Sequence, residues 1–179
     1  MSMRVYNINM QLKSPNTRYE ESYLQAVIES DEENLDTTLA KPQAGQSFAD
    51  FVKTLLSQSK GDHLPKGYVP ASTFWLIDKN EFIGRVQIRH TLTKSLLEEG
   101  GHIGYYIRPT QRKKGYGRKI LELGLIKAKE LGIYKALVTC DVDNFGSKKI
   151  IESQGGKFEN TYVPTDGKTP KLRYWINTK

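Results

Sequence analysis

The sequence contains 179 residues, with 27 Lys and Arg against 20 Asp and Glu, and a formal net charge of +7. This length suits one domain with a continuous core, and no apolar run approaches the ~18 residues that a membrane span needs. The start, MSMRVYNINM, lacks the apolar core of a signal peptide, and the single cysteine, Cys140, cannot form an intrachain disulfide. We therefore expect one domain over residues 1–179, located in the cytoplasm and without a membrane partner.

The first third of the chain predicts one strand and two helices. The strand is expected over Val5–Leu12, and apolar residues at helical spacing predict helices over about 19–29 and 47–57, the second capped by Ser47. Residues 30–36, SDEENLD, predict a solvated helix end or loop, and the acidic side chains of this region either attract an amine or face water. Residues 1–60 carry 6 basic and 8 acidic groups and residues 61–179 carry 21 and 12, so the positive charge belongs to the second part.

The rest of the chain predicts six strands and two helices. STFWLI and FIGRVQIRH read as a hairpin, HIGYYIRP as a third strand, and KALVTCDV as a buried strand that follows a helix closed by Gly132. A short helix over about 147–153 and the strands KFENTYV and KLRYWIN complete the chain. Strand, turn, helix and buried strand form a βαβ unit with a parallel pair. The expected fold is a mixed α/β fold: a central, mostly antiparallel sheet with one parallel βαβ pair, flanked by helices.

A basic, glycine-containing turn lies between the third predicted strand and the long helix. Residues 108–119, RPTQRKKGYGRK, contain six basic side chains. Unpaired amides at a helix start bind anions, and Gly115 and Gly117 would let a phosphate approach the backbone closely. The pattern matches neither the Walker loop nor the dinucleotide-binding fingerprint. Taken alone, the turn favours an anion site and a solvated loop about equally.

The surroundings of this turn resemble the GNAT superfamily of acetyl-CoA-dependent N-acyltransferases. Their motif, [R/Q]-x-x-G-x-[G/A] between a strand and a long helix, is matched by Arg112-x-x-Gly115-x-Gly117, with YYIRP before it and ALVTCDV after it. Asn144-x-x-Ser147 follows and leads to Gly155. The detailed resemblance spans about 72–160 and extends to a bacterial branch of predicted acetyltransferases with undefined substrate. It implies a single N-acetyltransferase domain whose cofactor-binding core is 72–160 and whose residues 1–60 shape the acceptor site.

The resemblance also implies where acetyl-CoA, the cosubstrate, binds. The backbone of Tyr106, Ile107 and Arg108 would pair with the pantetheine arm like an added strand, and Asn144 and Ser147 would contact the pantetheine side. The thioester would lie between HIGYYI and ALVTCDV, and no metal is expected. The pyrophosphate would be held by the residues of the glycine turn: Arg112, Lys113, Lys114, Gly115, Tyr116, Gly117 and Arg118.

Acetyl transfer to an amine needs a neutral nucleophile and therefore benefits from a base. Deprotonating a lysine-like amine at pH 7 costs roughly 4.6 kcal/mol, against about 1 kcal/mol for an α-amine. The position that carries a glutamate base in several superfamily members corresponds here to His102, whose alternative interpretation is a partly buried histidine with a satisfied hydrogen bond. Glu99 is the fallback, followed by Glu98 and His90.

The usual general acid is missing. Superfamily members often carry a tyrosine seven residues after the asparagine, where this sequence has Ile151, so Tyr105, Tyr106 or solvent would have to substitute. Cys140 lies on the strand expected beside the thioester, but a single buried cysteine is most often a core residue. Trp75 and Trp175 are likewise expected to pack the sheet.

The expected acceptor is a primary amine of a small molecule or peptide, attacked directly by the amine on the thioester. Two alternatives remain at this stage. One is a catalytically degenerate CoA-binding protein of the same fold, which the absent tyrosine leaves open. The other is a basic nucleic-acid-binding module, which the lack of interleaved stacking aromatics disfavours, so no nucleic acid is expected. A homodimer is possible.

Overall fold

Seven strands and four α-helices make up the described parts of the chain, residues 10–33, 39–62 and 64–179 of a computed structural model. Short helical turns occur over 17–19, 58–60, 96–100 and 109–111. Within these ranges no helix is long and apolar enough to cross a membrane. In chain order the elements are β1 (Gln11–Lys13), α1 (Glu20–Glu32), α2 (Phe48–Ser57), β2 (Ala71–Asp78), β3 (Glu81–Arg89), β4 (Ile103–Ile107), α3 (Tyr116–Glu130), β5 (Lys135–Asp141), α4 (Phe145–Ser153), β6 (Lys157–Tyr162) and β7 (Lys171–Asn177).

The strands form two antiparallel sheets, in the orders β1-β2-β3-β4 and β5-β7-β6. This confirms the mixed α/β fold with mostly antiparallel strands. The expected parallel pairing of β4 with β5 does not form a ladder among the described residues. Where the two strands begin, the His102 N–H donates a hydrogen bond to the Leu137 carbonyl at 2.7 Å. A gap between two sheet edges therefore replaces a continuous central sheet.

The predicted N-terminal helices cover one face of the first sheet. Ser47 caps α2 as expected, since its Oγ accepts a hydrogen bond from the Asp50 N–H at 3.1 Å. Tyr23 of α1 stacks on Trp75 of β2 with ring centroids 4.5 Å apart, and both side chains are almost fully buried. Trp75 is thus a core residue, as predicted. The predicted strand Val5–Leu12 falls mainly on residues 1–9, which lie outside the described residues; the described strand is Gln11–Lys13.

Helix α3 packs on the opposite face of the first sheet. Its buried stripe includes Ile120, Leu121 and Leu125, which share a core with Val86 and Ile88 of β3. Because side chains alternate along a strand, the intervening residues of β3 face α1 and α2 instead. The two faces of β3 and β4 therefore have separate surroundings, which matters for the site described next.

Candidate active site

The basic turn at the start of α3 presents a run of unpaired backbone amides. Among the described residues, none accepts a hydrogen bond from any N–H group of residues 113–118, whereas the Lys119 N–H donates to the Gly115 carbonyl at 3.2 Å. Gly115 has φ +87°, and a Cβ there would have nothing within 4 Å. Six successive free donors at a helix start, beside a position without a side chain, suit a polyanion such as a diphosphate.

Two cations of the turn point away from this run of amides. Arg108 is buried and pairs with the buried Glu29 of α1, to which its Nε donates at 3.1 Å and its Nη2 also donates. Arg112 makes a bidentate pair with Glu33, at 2.6 and 2.8 Å, and its guanidinium lies over the Tyr106 ring. The acidic end of α1 was expected to attract an amine or face water; instead it anchors the turn.

The other side chains of the turn divide into anchors and free groups. The Tyr116 hydroxyl donates to Asp78 Oδ2 at 2.8 Å, and burial, followed by this carboxylate, raises the pKa of Tyr116 to about 12. Lys114 donates to the Thr110 carbonyl at 2.9 Å. The side chains of Lys113 and Arg118 are exposed and make no hydrogen bond or ion pair with another described residue. Gly117 serves helix packing, since a Cβ there would approach the tip of Ile150 to 2.6 Å.

Only alternate residues of β4 turn their backbone toward the gap. The β3–β4 ladder is fixed at both ends: the Arg89 N–H donates to the His102 carbonyl at 2.8 Å and the Arg108 N–H to the Ile83 carbonyl at 3.0 Å. Alternation between these ends directs the backbone groups of Tyr106 toward β3. The expectation that Tyr106 and Arg108 pair with pantetheine through their backbone is therefore wrong in register, since the Arg108 carbonyl also accepts from Gln111.

The same alternation leaves Tyr105 and Ile107 on the open edge of β4. The Ile107 carbonyl accepts a hydrogen bond from Arg112 Nε at 3.0 Å, so its N–H and both backbone groups of Tyr105 remain for an added chain. Of the three residues predicted here, Ile107 therefore lies on the open edge of β4, and so does Tyr105, whereas Tyr106 and Arg108 face β3.

His102 closes the gap at its narrow end. Its Nδ1 accepts a hydrogen bond from the Leu137 N–H at 3.0 Å, and its own N–H donates to the Leu137 carbonyl. A neutral ring whose Nδ1 accepts carries its proton on Nε2, so no lone pair is free to take a proton from a substrate. Burial, and next the Arg89 guanidinium, lower the pKa of His102. The geometry contradicts a catalytic base at this position and supports the alternative of a satisfied strand histidine.

A short turn before β4 carries the fallback Glu99. Its carbonyl accepts from Thr139 Oγ1 of β5 at 2.6 Å, while its half-buried carboxylate accepts no hydrogen bond among the described residues. The passage from this turn into β4 requires Gly101, because a Cβ there would lie 2.5 Å from the Leu137 carbonyl oxygen. The carboxylate of Glu98 accepts from the Tyr162 hydroxyl at 3.3 Å, and His90 Nε2 lies 2.9 Å from Ser72 Oγ. Glu99 is thus the residue of this group with a free carboxylate.

Hydroxyl groups occupy the other side of the gap. The Tyr105 hydroxyl lies 2.7 Å from Ser147 Oγ, and burial raises the pKa of Tyr105 to about 12. Burial, followed by the Asp141 and Glu152 carboxylates, raises the pKa of the Cys140 thiol to about 11. Asn144 caps α4, since its Oδ1 accepts from the Ser147 N–H at 3.0 Å. Sequence reasoning had named Tyr105 as a possible substitute acid, but no spacing signal revealed its pairing with Ser147.

Ile151 and Trp175 complete the predicted residues. Ile151, at the position of the usual tyrosine, is fully buried in the core shared by α3 and β5. Trp175 packs edge to face on His102, with ring centroids 6.3 Å apart.

Comparison with known proteins agrees with this geometry. The family described as acetyltransferase (GNAT) domain matches residues 17–157. No curated protein matches the sequence. RimJ from Mycobacterium smegmatis, in complex with CoA-disulfide, superimposes with a TM-score of 0.67 at 17% identity, covering 94% of this chain and 81% of the other.

Two further solved structures have similar folds. The microcin self-immunity acetyltransferase MccE, in complex with acetyl-CoA and AMP, has a TM-score of 0.66 at 15% identity and covers 98% of this chain and 95% of its own. RimL, a ribosomal alpha-N-protein acetyltransferase in complex with coenzyme A, has a TM-score of 0.63 at 18% identity, covering 94% and 93%. Identities this low describe the fold alone, but the family match spans most of the sequence, and the chain belongs to the GNAT acetyltransferase family.

Proposed function

We propose that this protein is an acetyl-CoA-dependent N-acetyltransferase that moves an acetyl group to a primary amine by direct attack. The observation that carries the proposal is the run of unpaired amides at 113–118, which lies next in the chain to the open edge of β4. These amides would hold the diphosphate, with Lys113 and Arg118 adding positive charge, while Tyr105 and Ile107 would pair with the pantetheine arm. The residues present therefore fit the cosubstrate.

The hydroxyl pair in the gap would assist departure of the thiolate. Tyr105 remains protonated at neutral pH because burial raises its pKa, so it can donate to Ser147, whose own hydroxyl would then be available to donate to the leaving sulfur. Donors aimed at developing charge contribute large rate factors in enzymes.

Proton removal from the amine would fall to Glu99 or to solvent. Thr139, whose Oγ1 bonds the Glu99 carbonyl, points to the face of β5 opposite Cys140, because side chains alternate along the strand. The carboxylate would therefore approach the acceptor from the side opposite Tyr105 and Ser147. Replacing Glu99 with glutamine should lower kcat while leaving the dissociation constant for acetyl-CoA unchanged.

Two measurements test the proposal. Calorimetry should detect acetyl-CoA binding, and an amine screen read out by released thiol should detect turnover. A double variant, K113Q and R118Q, should weaken acetyl-CoA binding about tenfold, since each exposed charge contributes ~0.3–1 kcal/mol near a helix start. The matched control, K129Q and K157Q, removes two exposed lysines elsewhere and should bind like the wild type. Absence of binding at millimolar acetyl-CoA, with the protein folded, would refute the proposal.

A second candidate function follows from Ile151. A fully buried isoleucine replaces the usual acid, which is what a CoA-binding protein without catalysis would also show. Binding of acetyl-CoA without thiol release across the amine panel, unchanged by Y105F and S147A, would favour this reading over an enzyme.

A further inference from the structure

A cavity of about 260 Å³ lies on the face of the first sheet that α1 and α2 cover, away from the basic turn. Its floor is formed by β2 and β3, with Thr73 and Trp75 on one strand and Arg85 and Gln87 on the other. Tyr23 and Leu55 of the two helices close its sides. The acetyl-transfer chemistry proposed above uses none of these side chains.

Three unpaired hydrogen-bond donors stand side by side in this region. Trp75, Arg85 and Tyr106 are direct cross-strand neighbours on β2, β3 and β4, so their side chains share one face. Trp75 is fully buried and Tyr106 is 7% exposed, yet neither the Trp75 Nε1–H nor the Tyr106 hydroxyl has a hydrogen-bond partner among the residues that the structure describes. The Arg85 guanidinium, which lines the cavity, forms no hydrogen bond or ion pair with another described residue.

The charge of Arg85 is likewise uncompensated. A guanidinium stays protonated under all relevant conditions, and Arg85 is only partly exposed, so that its charge is incompletely solvated. The nearby α1 carboxylates of Glu29 and Glu33 are already paired with Arg108 and Arg112. Arg89 lies four residues after Arg85 and therefore on the same face of β3. Its guanidinium adds positive potential, and it donates hydrogen bonds to the Gly100 and Gly101 carbonyls. The cavity thus presents donors and positive charge with no anion from the described chain.

We propose that this cavity binds a carboxylate of the acetyl acceptor, so that the preferred acceptor is an amine that also carries a carboxylate group. The guanidinium fork of Arg85 matches a planar carboxylate, and the Trp75 and Tyr106 donors can complete its shell. The volume lies just below the ~300–1,000 Å³ of drug-sized pockets, which suits an amino acid or a peptide terminus better than a nucleotide.

The register also connects the cavity with the site of transfer. Gln87 of the cavity floor pairs with Gly104 of β4, which has no side chain of its own on this face, and Arg89 Nη1 lies 3.7 Å from the position that a Cβ of Gly104 would take. An acceptor held by its carboxylate at Arg85 would therefore extend its amine past the Arg89 guanidinium to the gap between β4 and β5. This assignment deepens the proposed acetyltransferase function and rests on it.

Turnover with matched acceptors provides the first test. In each pair one member carries a carboxylate and the other the corresponding amide: 4-aminobutyrate against 4-aminobutanamide, and β-alanine against β-alaninamide. The carboxylate member should have a kcat/KM about 10- to 100-fold higher, the factor expected for hydrogen bonds to a charged group. R85Q should remove this preference mainly through KM, R85K should restore part of it, and Y106F should reduce it. K129Q, which removes one exposed charge, should retain it in full.

Binding without turnover provides the second test and separates the two claims. Glutarate should raise the melting temperature of the wild type in the absence of acetyl-CoA, while glutaramide should not, and R85Q should lose the effect. If no amine is acetylated but this pattern holds, the anion site stands and the proposed enzyme function fails. If amines are acetylated without preference for carboxylates, or R85Q keeps the preference, the site assignment is wrong. Stabilisation by inorganic phosphate alone would also overturn the carboxylate assignment.

Discussion

The ion pair between Glu29 and Arg108 allows a sharp test of how the basic turn is held in place. Both side chains are about nine-tenths buried, and the Glu29 carboxylate also accepts a hydrogen bond from Thr110 Oγ1 at 2.9 Å. Replacing Glu29 with glutamine leaves the Arg108 guanidinium buried without its countercharge. The structure contains a natural comparison, because Glu33 and Arg112 join the same helix to the same turn with 27% and 37% of their side chains exposed.

The expected magnitudes differ because the burial of the two pairs differs. Removing one partner of a buried ion pair costs about 3–5 kcal/mol, whereas an exposed pair contributes about 0–1 kcal/mol. E29Q should therefore lower the free energy of unfolding by about 3 kcal/mol and E33Q by less than about 1 kcal/mol. Since Arg108 joins β4 to the basic turn, E29Q should also weaken acetyl-CoA binding, although it touches no proposed ligand group.

Urea unfolding followed by tryptophan fluorescence measures both variants, and its pH dependence adds a second readout. Burial alone would raise the pKa of Glu29, but the hydrogen bonds from Arg108 and Thr110 outweigh it and lower the pKa below its usual value. A lowered carboxyl pKa stabilises the fold above the unfolded-state pKa, and this contribution is lost as pH falls through the folded-state pKa. The gap between wild type and E29Q should therefore narrow below about pH 4. Equal losses in E29Q and E33Q, or a gap independent of pH, would refute the reasoning.

Four further variants test the site. H102Q should retain turnover within about threefold, since the glutamine amide oxygen can still accept a hydrogen bond from the Leu137 N–H. NMR titration of the wild type should give His102 a pKa below 6.5. A hundredfold loss of kcat in H102Q would instead support His102 as the catalytic base. Y105F should lower kcat about tenfold with little change in KM for acetyl-CoA; unchanged kcat would remove Tyr105 from the mechanism. G115A and G132A should each lower the free energy of unfolding by about 1–2 kcal/mol, because both glycines have positive φ. Only G115A should weaken acetyl-CoA binding. Equal acetyl-CoA affinities of the two variants would contradict the amide site.

The local sequence patterns predicted the elements and the location of the turn well. Helix α2 with its Ser47 cap, the β2–β3 hairpin and the Gly132 terminus of α3 are specified by neighbouring residues, and their signals are short-range. Which backbone groups of β4 face the gap depends instead on the register against β3, which a one-residue shift would invert. The sequence therefore identified the right strand but assigned the pairing to the wrong neighbours of Tyr105.

Side-chain partners were harder to predict because they depend on contacts between distant elements. Glu29 and Arg108 are 79 positions apart, as are Glu33 and Arg112, and neither pair follows from local spacing. The Nδ1 acceptor role of His102 similarly depends on Leu137 of another strand, 35 residues later. The unpaired donors of Trp75, Arg85 and Tyr106 could not be recognised from sequence. They are neighbours only because β2, β3 and β4 pair in this register, and they are distinguished by having no hydrogen-bond partner among the described residues.

The central claim is that the backbone amides of residues 113–118 hold the diphosphate of coenzyme A, and amide NMR tests it most directly. Titration with coenzyme A should shift the 113–118 amide resonances more than any other contiguous group, because these N–H groups exchange solvent for phosphate oxygen. Pantetheine, which lacks the diphosphate, should leave these resonances in place while shifting those of Tyr105 and Ile107. Binding of coenzyme A with no shift at 113–118, or equal shifts with pantetheine, would contradict the account.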